Sequence, residues 1–157
     1  MKNRLKFNVD KGKTGQAKRT FEGIVFDSEM ELKYYKEIVL EGVKNGTILH
    51  FERQKKYILQ PSFIKNGKRV LPIEYKADFY IKYSDGSEEV IDVKGFAEPL
   101  AILKRKMFWY MYPNINYNWI SYIKKYGGWI NYDDCKRLRA QAKKEKKEWQ
   151  IKKLWKN

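Results

Sequence analysis

The stretch YKADFYIKYSDGSEEVIDVKG, residues 75–95, constrains this chain more than any other. Two runs rich in aromatic and β-branched residues flank Ser84-Asp85-Gly86-Ser87, a strong turn signal. They predict a hairpin of strands 75–83 and 89–93. The first strand carries Asp78, and the second delivers Asp92 and Lys94. Residues two apart in a strand share a face, so Asp92 and Lys94 stand side by side. Asp78 sits among residues that want a buried strand, where a carboxylate is costly unless it is paired or metal-bound.

The register decides whether the two acids meet. A two-residue turn at Asp85-Gly86 sets Asp78 opposite Val93 and puts the aspartates on opposite faces. An offset of one residue sets Asp78 opposite Asp92 on one face. A three-residue loop, or a bulge with Gly86 at positive φ, supplies that offset. A shared divalent metal therefore demands it. Two carboxylates that can share such a metal, next to a lysine, are the minimal equipment for hydrolysing a phosphodiester.

Composition narrows both metal and partner. One cysteine, Cys135, rules out an internal disulfide, and with a single histidine, His50, it leaves no zinc-ligand set. Any metal is then a hard cation held by oxygens. The formal net charge of +15 points to a polyanion, nucleic acid first and a membrane surface second. No apolar run approaches the roughly 18–20 residues of a spanning helix. The N-terminus also lacks the apolar core of a signal peptide. With 157 residues, 43% of them hydrophobic, one domain with its own core is expected.

Along the chain, residues 1–20 read as a basic arm, 21–132 as the core and 133–157 as a basic C-terminal helix. A first core helix starts at Ser28, whose spacing to Glu31 is that of a capping box. Leu32, Tyr35, Ile38 and Val39 give its buried face, and Gly42 and Gly46 stop it. Residues 48–59 read as one strand, and the turn Lys65-Asn66-Gly67-Lys68 follows. Residues 99–112 form a second helix with an apolar stripe of Leu100, Leu103, Met107 and Tyr110 or Met111. Residues 117–122 form a last strand. Asp133 or Asp134 caps the C-terminal helix, with Leu138, Ala142, Trp149 and Leu154 as a docking seam. The resulting fold class is α/β or α+β, with a mixed central sheet of four to five strands flanked by helices.

Asp78, then Asp92-Val93-Lys94 after a hairpin, with Glu31 on a preceding helix, resembles the PD-(D/E)XK nuclease superfamily. The resemblance covers roughly residues 28–120 and is closest to small phage-encoded endonucleases, some of Holliday junction resolvase type. The chain departs from the pattern in having Ala77 where proline often precedes the first aspartate.

The resemblance implies a restriction-endonuclease-like core and a Mg2+-dependent endodeoxyribonuclease, with Mn2+ as an alternative cofactor. It implies action on branched DNA in recombination, in the cytoplasm of a host cell. Symmetric cutting of a junction would call for a homodimer. A nicking, terminase-associated or restriction-type nuclease of the same fold is the alternative, as is a non-catalytic nucleic-acid-binding protein. Asp78 and Asp92 would ligate the metal with the Val93 carbonyl, and Lys94 would position water or stabilise developing charge. Glu31 would be a further ligand or only a helix cap, and Glu52 could replace it. Gln54 resembles a glutamine often present before the hairpin.

Lys104 and Lys106 lie on the second helix, where such nucleases often place a basic residue near the phosphate. His50 reads as a packed or surface strand residue rather than a general base. From 133 to 157 there are ten Lys or Arg and four acids. Lys136, Arg137, Arg139, Lys143 and Lys144 lead this set as phosphate contacts. Nothing resembles a base-reading motif, so selectivity for shape rather than sequence is expected.

Overall fold

The computed structural model describes residues 12–155. A short helix, α1 (Lys13–Lys18), precedes a small hairpin of β1 (Thr20–Phe21) and β2 (Ile24–Val25). A helical run follows as α2 (Glu29–Tyr34), a π-helical stretch Tyr35–Leu40, and α3 (Glu41–Lys44). Then come β3 (Ile48–Arg53), β4 (Lys56–Gln60), β5 (Phe63–Lys65), β6 (Lys68–Val70), β7 (Ile73–Lys76), β8 (Phe79–Tyr83) and β9 (Glu88–Val93). After α4 (Pro99–Met111) the chain forms β10 (Asn116–Ile123), β11 (Gly128–Asn131) and α5 (Tyr132–Leu154).

Five strands make the mixed central sheet, in the order β11-β10-β9-β8-β3. Only β9 and β10 run parallel, because α4 carries the chain across between them. Alternation along these strands feeds two cores. Phe79, Ile81, Ile91 and Val93 pack under the α2 region with Phe26, Leu32, Tyr35 and Val39. Val90, Tyr117 and Trp119 face the other way and pack with Phe108 of α4. This is the α+β architecture with helices on both faces that the sequence predicts.

Residues 48–59 do not form one strand, nor do 75–83. Both runs break, at Gln54-Lys55 and at Ala77-Asp78, and the two breaks lie against each other. The Gln54 amide donates to the Asp78 carbonyl at 3.2 Å, and the Ala77 amide to the Lys55 carbonyl at 2.9 Å. Gln54 turns the chain with φ of +57°, a left-handed conformation uncommon outside glycine, asparagine and aspartate. The antiparallel register runs unbroken through this corner, Arg53 facing Phe79 below it and Lys56 facing Lys76 above it. Residues 48–83 are thus one long ribbon. Its base belongs to the sheet, and its far end is a β5–β6 hairpin closed by Asn66 and Gly67, both at positive φ.

Several helix readings need correction. Gly42 lies inside α3 rather than ending it, because the Ile48 side chain packs where its Cβ would be. Gly46, at φ of +79°, lies in the turn that follows. On α4 the expected stripe is largely outside: Leu100, Leu103 and Tyr110 are exposed, while Arg105 and Phe108 are buried. Apolar residues occur on both sides of this helix, so periodicity could not choose between them. Arg105 can be buried because its guanidinium lies 4.4 Å from each of the Trp109 and Trp119 ring centroids and bonds Asp133.

The Asn131 side chain, not Asp133 or Asp134, caps α5, accepting from the Asp133 amide at 2.9 Å. The expected docking seam ends at half-buried Ala142. Beyond it Trp149 is exposed, and the Leu154 side chain lies outside the described set. Most of the N-terminal arm, residues 1–11, also lies outside the described residues, as does Lys156. Residues 13–18 of that arm are helical.

Candidate active site

The hairpin has the offset register. Phe79 faces Ile91, Tyr80 faces Val90 and Lys82 faces Glu88. One further residue toward the strand ends, the same register sets Asp78 across from Asp92. The offset comes from a three-residue loop, Ser84-Asp85-Gly86. The Tyr83 amide donates to the Ser87 carbonyl at 2.9 Å, and Gly86 sits at φ of +84°. Asp85 Oδ1 accepts from the Ser87 amide and hydroxyl and holds the loop. Glycine is needed at that φ, where a Cβ would strain the backbone whatever the space around it.

Asp78 stands at the ribbon corner, just before β8. Its Oδ2 accepts from the Val93 amide at 2.7 Å. The contact the structure shows for Val93 is through its amide, donated to the first acid. Asp92 is only 1% exposed, in the middle of the sheet. Its Oδ2 lies 2.5 Å from Lys94 Nζ, and the Tyr75 hydroxyl lies beside the same carboxylate. A carboxylate this deeply buried is costly unless it is paired in this way.

Electrostatics follows from this crowding. Burial, and next the Asp92 charge, hold the Asp78 carboxyl well above the ordinary range against the opposing pull of Lys94. Burial drags Lys94 down, but Asp92, Asp78 and Glu31 together outweigh it, so the ammonium is held more firmly protonated than usual. Lys94 is therefore a cation at any working pH.

Glu31 reaches the same neighbourhood from α2. It is 1% exposed, and burial raises its pKa. The Ser28 hydroxyl oxygen accepts from its amide at 3.0 Å, as the capping box predicts. Its carboxylate accepts from the Asp27 amide at 3.0 Å, and Arg53 and Gln54 each approach it at 3.5 Å. Helix cap and neighbour of the site are both realised in one residue. Gln54 spans from Glu31 to Asp78, its side chain on one and its backbone amide on the other, and its buried Oε1 has no hydrogen-bond partner among the described residues. Glu52, the other candidate acid, instead pairs with Lys55 and His50 on an exposed face.

The remaining candidates scatter. Lys104 donates to the Glu74 carbonyl at 2.7 Å, at the ribbon, and Lys106 lines a shallow apolar hollow with Leu59 and Met107. Between them, Arg105 is the α4 residue that turns toward the site side of the sheet. Lys136, Arg137, Arg139, Lys143 and Lys144 are exposed along α5, where Arg137 pairs with Asp134 and Lys144 with Glu148.

Sequence reasoning missed an aromatic relay behind Asp92. Trp119 Nε1 donates to the Tyr117 hydroxyl, which donates to the Tyr75 hydroxyl, each at 2.5 Å. Burial, then the Asp92 charge, push both phenols far upward, so they remain neutral donors. Tyr117 and Trp119, two polar aromatics at alternate positions of β10, were the available signal.

Among the described residues no group of three His, Cys, Asp or Glu side chains converges closely enough to hold a metal ion. The donor set present is two carboxylates, Asp78 and Asp92, beside Lys94. That set suits a magnesium-like cation, which keeps several waters and takes one or two protein carboxylates.

A family model described as a protein of unknown function, DUF1064, matches residues 11–128, and the chain belongs to that family. The match takes in Glu31, Gln54, Asp78, Asp92 and Lys94 and stops short of α5. No curated protein matches the chain.

Proposed function

We propose that this chain is a metal-dependent DNA endonuclease that hydrolyses phosphodiester bonds in branched or otherwise structured DNA, with a Holliday junction as the substrate to try first. The observation that carries the reading is the one-residue offset of the hairpin, with Asp78 across from Asp92 and the Lys94 ammonium 2.5 Å from Asp92. A structural sheet gains nothing from collecting two acids and a lysine there, where burial penalises each of them. A catalytic site gains a cation position and a phosphate position side by side.

In this reading Asp78 and Asp92 hold Mg2+ or Mn2+. Such a cation lowers the pKa of a bound water and neutralises charge on the scissile phosphate. Lys94, fixed as a cation, sits where it can turn from Asp92 to a phosphate oxygen. Gln54 and Glu31 fix the ribbon corner, and with it the aim of Asp78. The Tyr75–Tyr117–Trp119 relay stiffens the wall behind Asp92. The exposed lysines and arginines of α5, within an overall charge of +15, supply sequence-independent attraction to DNA. Cutting both sides of a junction would require two copies.

The test is incubation with a synthetic four-way junction, a linear duplex and a single strand, in Mg2+ or in EDTA. Metal-dependent cleavage that favours the junction supports the whole proposal. Equal cleavage of all three removes the junction preference and leaves a nuclease. Binding without cleavage of any substrate would leave a nucleic-acid-binding protein and remove the enzyme. No helix among the described residues is long and apolar enough to cross a membrane.

A further inference from the structure

The far end of the long ribbon has no evident structural task. All six residues of β5 and β6 are exposed, on both faces of the hairpin. Ile64 is 67% exposed and Leu71, just beyond β6, 71%. A two-stranded hairpin standing alone is marginal in water. This one carries a further penalty. Lys65 and Lys68 face each other directly across the Asn66-Gly67 turn, and Arg69 is next in line opposite Ile64. Like charges in directly opposed positions destabilise a ribbon. From Pro61 to Ile73 there is no acid to offset them; the first, Glu74, pairs with Lys56 nearer the corner.

A polyanion turns that penalty into an attraction. A two-stranded ribbon fits the roughly 12 Å width of the B-DNA major groove, whereas the minor groove is about half as wide. The exposed apolar side chains suit sugar and base surfaces between the phosphate contacts. Asn66 lies twelve positions after Gln54. At about 3.3 Å per residue the reach from corner to tip is at most roughly 40 Å, about one turn of duplex.

We infer that residues 61–72 form a DNA-binding arm that enters the major groove of a duplex about one turn from the bond at the Asp78–Asp92 site, with Lys65, Lys68 and Arg69 on backbone phosphates. The inference rests on the nuclease reading for its substrate, but it concerns binding and needs no metal. The arm and the candidate site are the two parts of one ribbon, so DNA held by the arm is indexed to the acids at the corner.

The experiment compares the wild-type chain with K65Q/K68Q/R69Q in EDTA. Affinity for a labelled four-way junction and for a duplex is measured by anisotropy across a salt series. Loss of three phosphate contacts lowers the log–log salt slope by about 2.7. Affinity near physiological salt should fall at least tenfold, equally for different sequences. Melting temperature checks folding, and K65Q/K68Q provides a milder variant expected to lie between the two. Unchanged affinity and slope in the variants, with tight wild-type binding, would overturn the arm and leave the nuclease reading standing. A wild type that binds neither DNA would overturn both. Sedimentation is run alongside: a wild-type dimer that becomes monomeric in the variant would assign the arm to a second copy of the chain and overturn the inference.

Discussion

Asp78→Asn should make the fold more stable while abolishing metal-dependent cleavage. Groups directly opposed across an antiparallel pair have Cβ atoms about 5 Å apart. Two like charges at that distance repel by about 3 kcal/mol at an effective dielectric of 20. Lys94 offsets part of this, and an asparagine oxygen can still accept from the Val93 amide that now donates to Asp78 at 2.7 Å. A net gain of about 1–3 kcal/mol is expected from the lost repulsion, or a rise of several degrees in melting temperature.

The gain must depend on pH in a defined direction. The Asp78 pKa is raised in the fold above its ordinary 3.8. Well below that value the carboxyl is protonated in folded and unfolded chain alike, and the variant has no advantage. As pH rises, the unfolded chain ionises first and the fold loses stability, until the folded carboxyl ionises too. The advantage of the asparagine therefore grows from about pH 4 upward and then levels off. Urea unfolding of both proteins in EDTA, at pH 4 and pH 8, measures this. Mg2+ should then stabilise the wild type more than the variant. An asparagine variant less stable than wild type at pH 8 in EDTA would mean that Asp78 is a structural acceptor. The argument from crowded charge would then fail.

Four further outcomes are expected. Lys94→Ala should cost about 3 kcal/mol by stripping the buried Asp92 of its cation, and should stop cleavage while DNA affinity persists; unchanged urea stability would tell against the pair. Tyr75→Phe should cost about 1–2 kcal/mol, because the Tyr117 hydroxyl loses its acceptor, measured by thermal melting. Gln54→Gly should relieve about 1 kcal/mol of left-handed backbone strain, so that calorimetry shows no loss of stability while cleavage falls. Gly42→Ala should destabilise by about 1–3 kcal/mol in a urea melt, since its Cβ would meet Ile48 Cδ1 at 2.5 Å and Cγ1 at 2.7 Å, and less so when Ile48→Ala removes both atoms.

What could be read from the residues was whatever local rules decide. The polar turn around Gly86 announced the hairpin but left its register open between a two-residue turn and an offset; the structure has the offset that brings Asp78 and Asp92 together. The Ser28–Glu31 spacing announced a helix start that the structure reproduces. The corner at Gln54 was illegible, because nothing in glutamine's own preferences asks for positive φ; contacts with Asp78 and Glu31 impose it. Without that corner, the breaks in 48–59 and 75–83 could not be seen either. Arg105 was passed over for its neighbours Lys104 and Lys106, because a charged residue is expected outside. Only the two tryptophans and Asp133 make its burial tolerable. The DUF1064 match, which supplies no activity, leaves the geometry of these residues as the ground for any assay.

The three-residue loop also bears on the order in which the molecule assembles. A hairpin with so short a loop closes within microseconds. Pairing β10 with β9 has to wait for the whole α4 crossover, a non-local step and a slower one. We therefore expect Asp78 and Asp92 to come together early, while water still surrounds and screens them. Their mutual repulsion reaches full strength only later, when Trp119 and Tyr117 arrive with β10 and Asp92 becomes buried in the sheet. The crowded charges should then weigh on a late folding step and on unfolding, rather than on hairpin closure. Asp78→Asn should accordingly leave the early phase of refolding unchanged and slow unfolding.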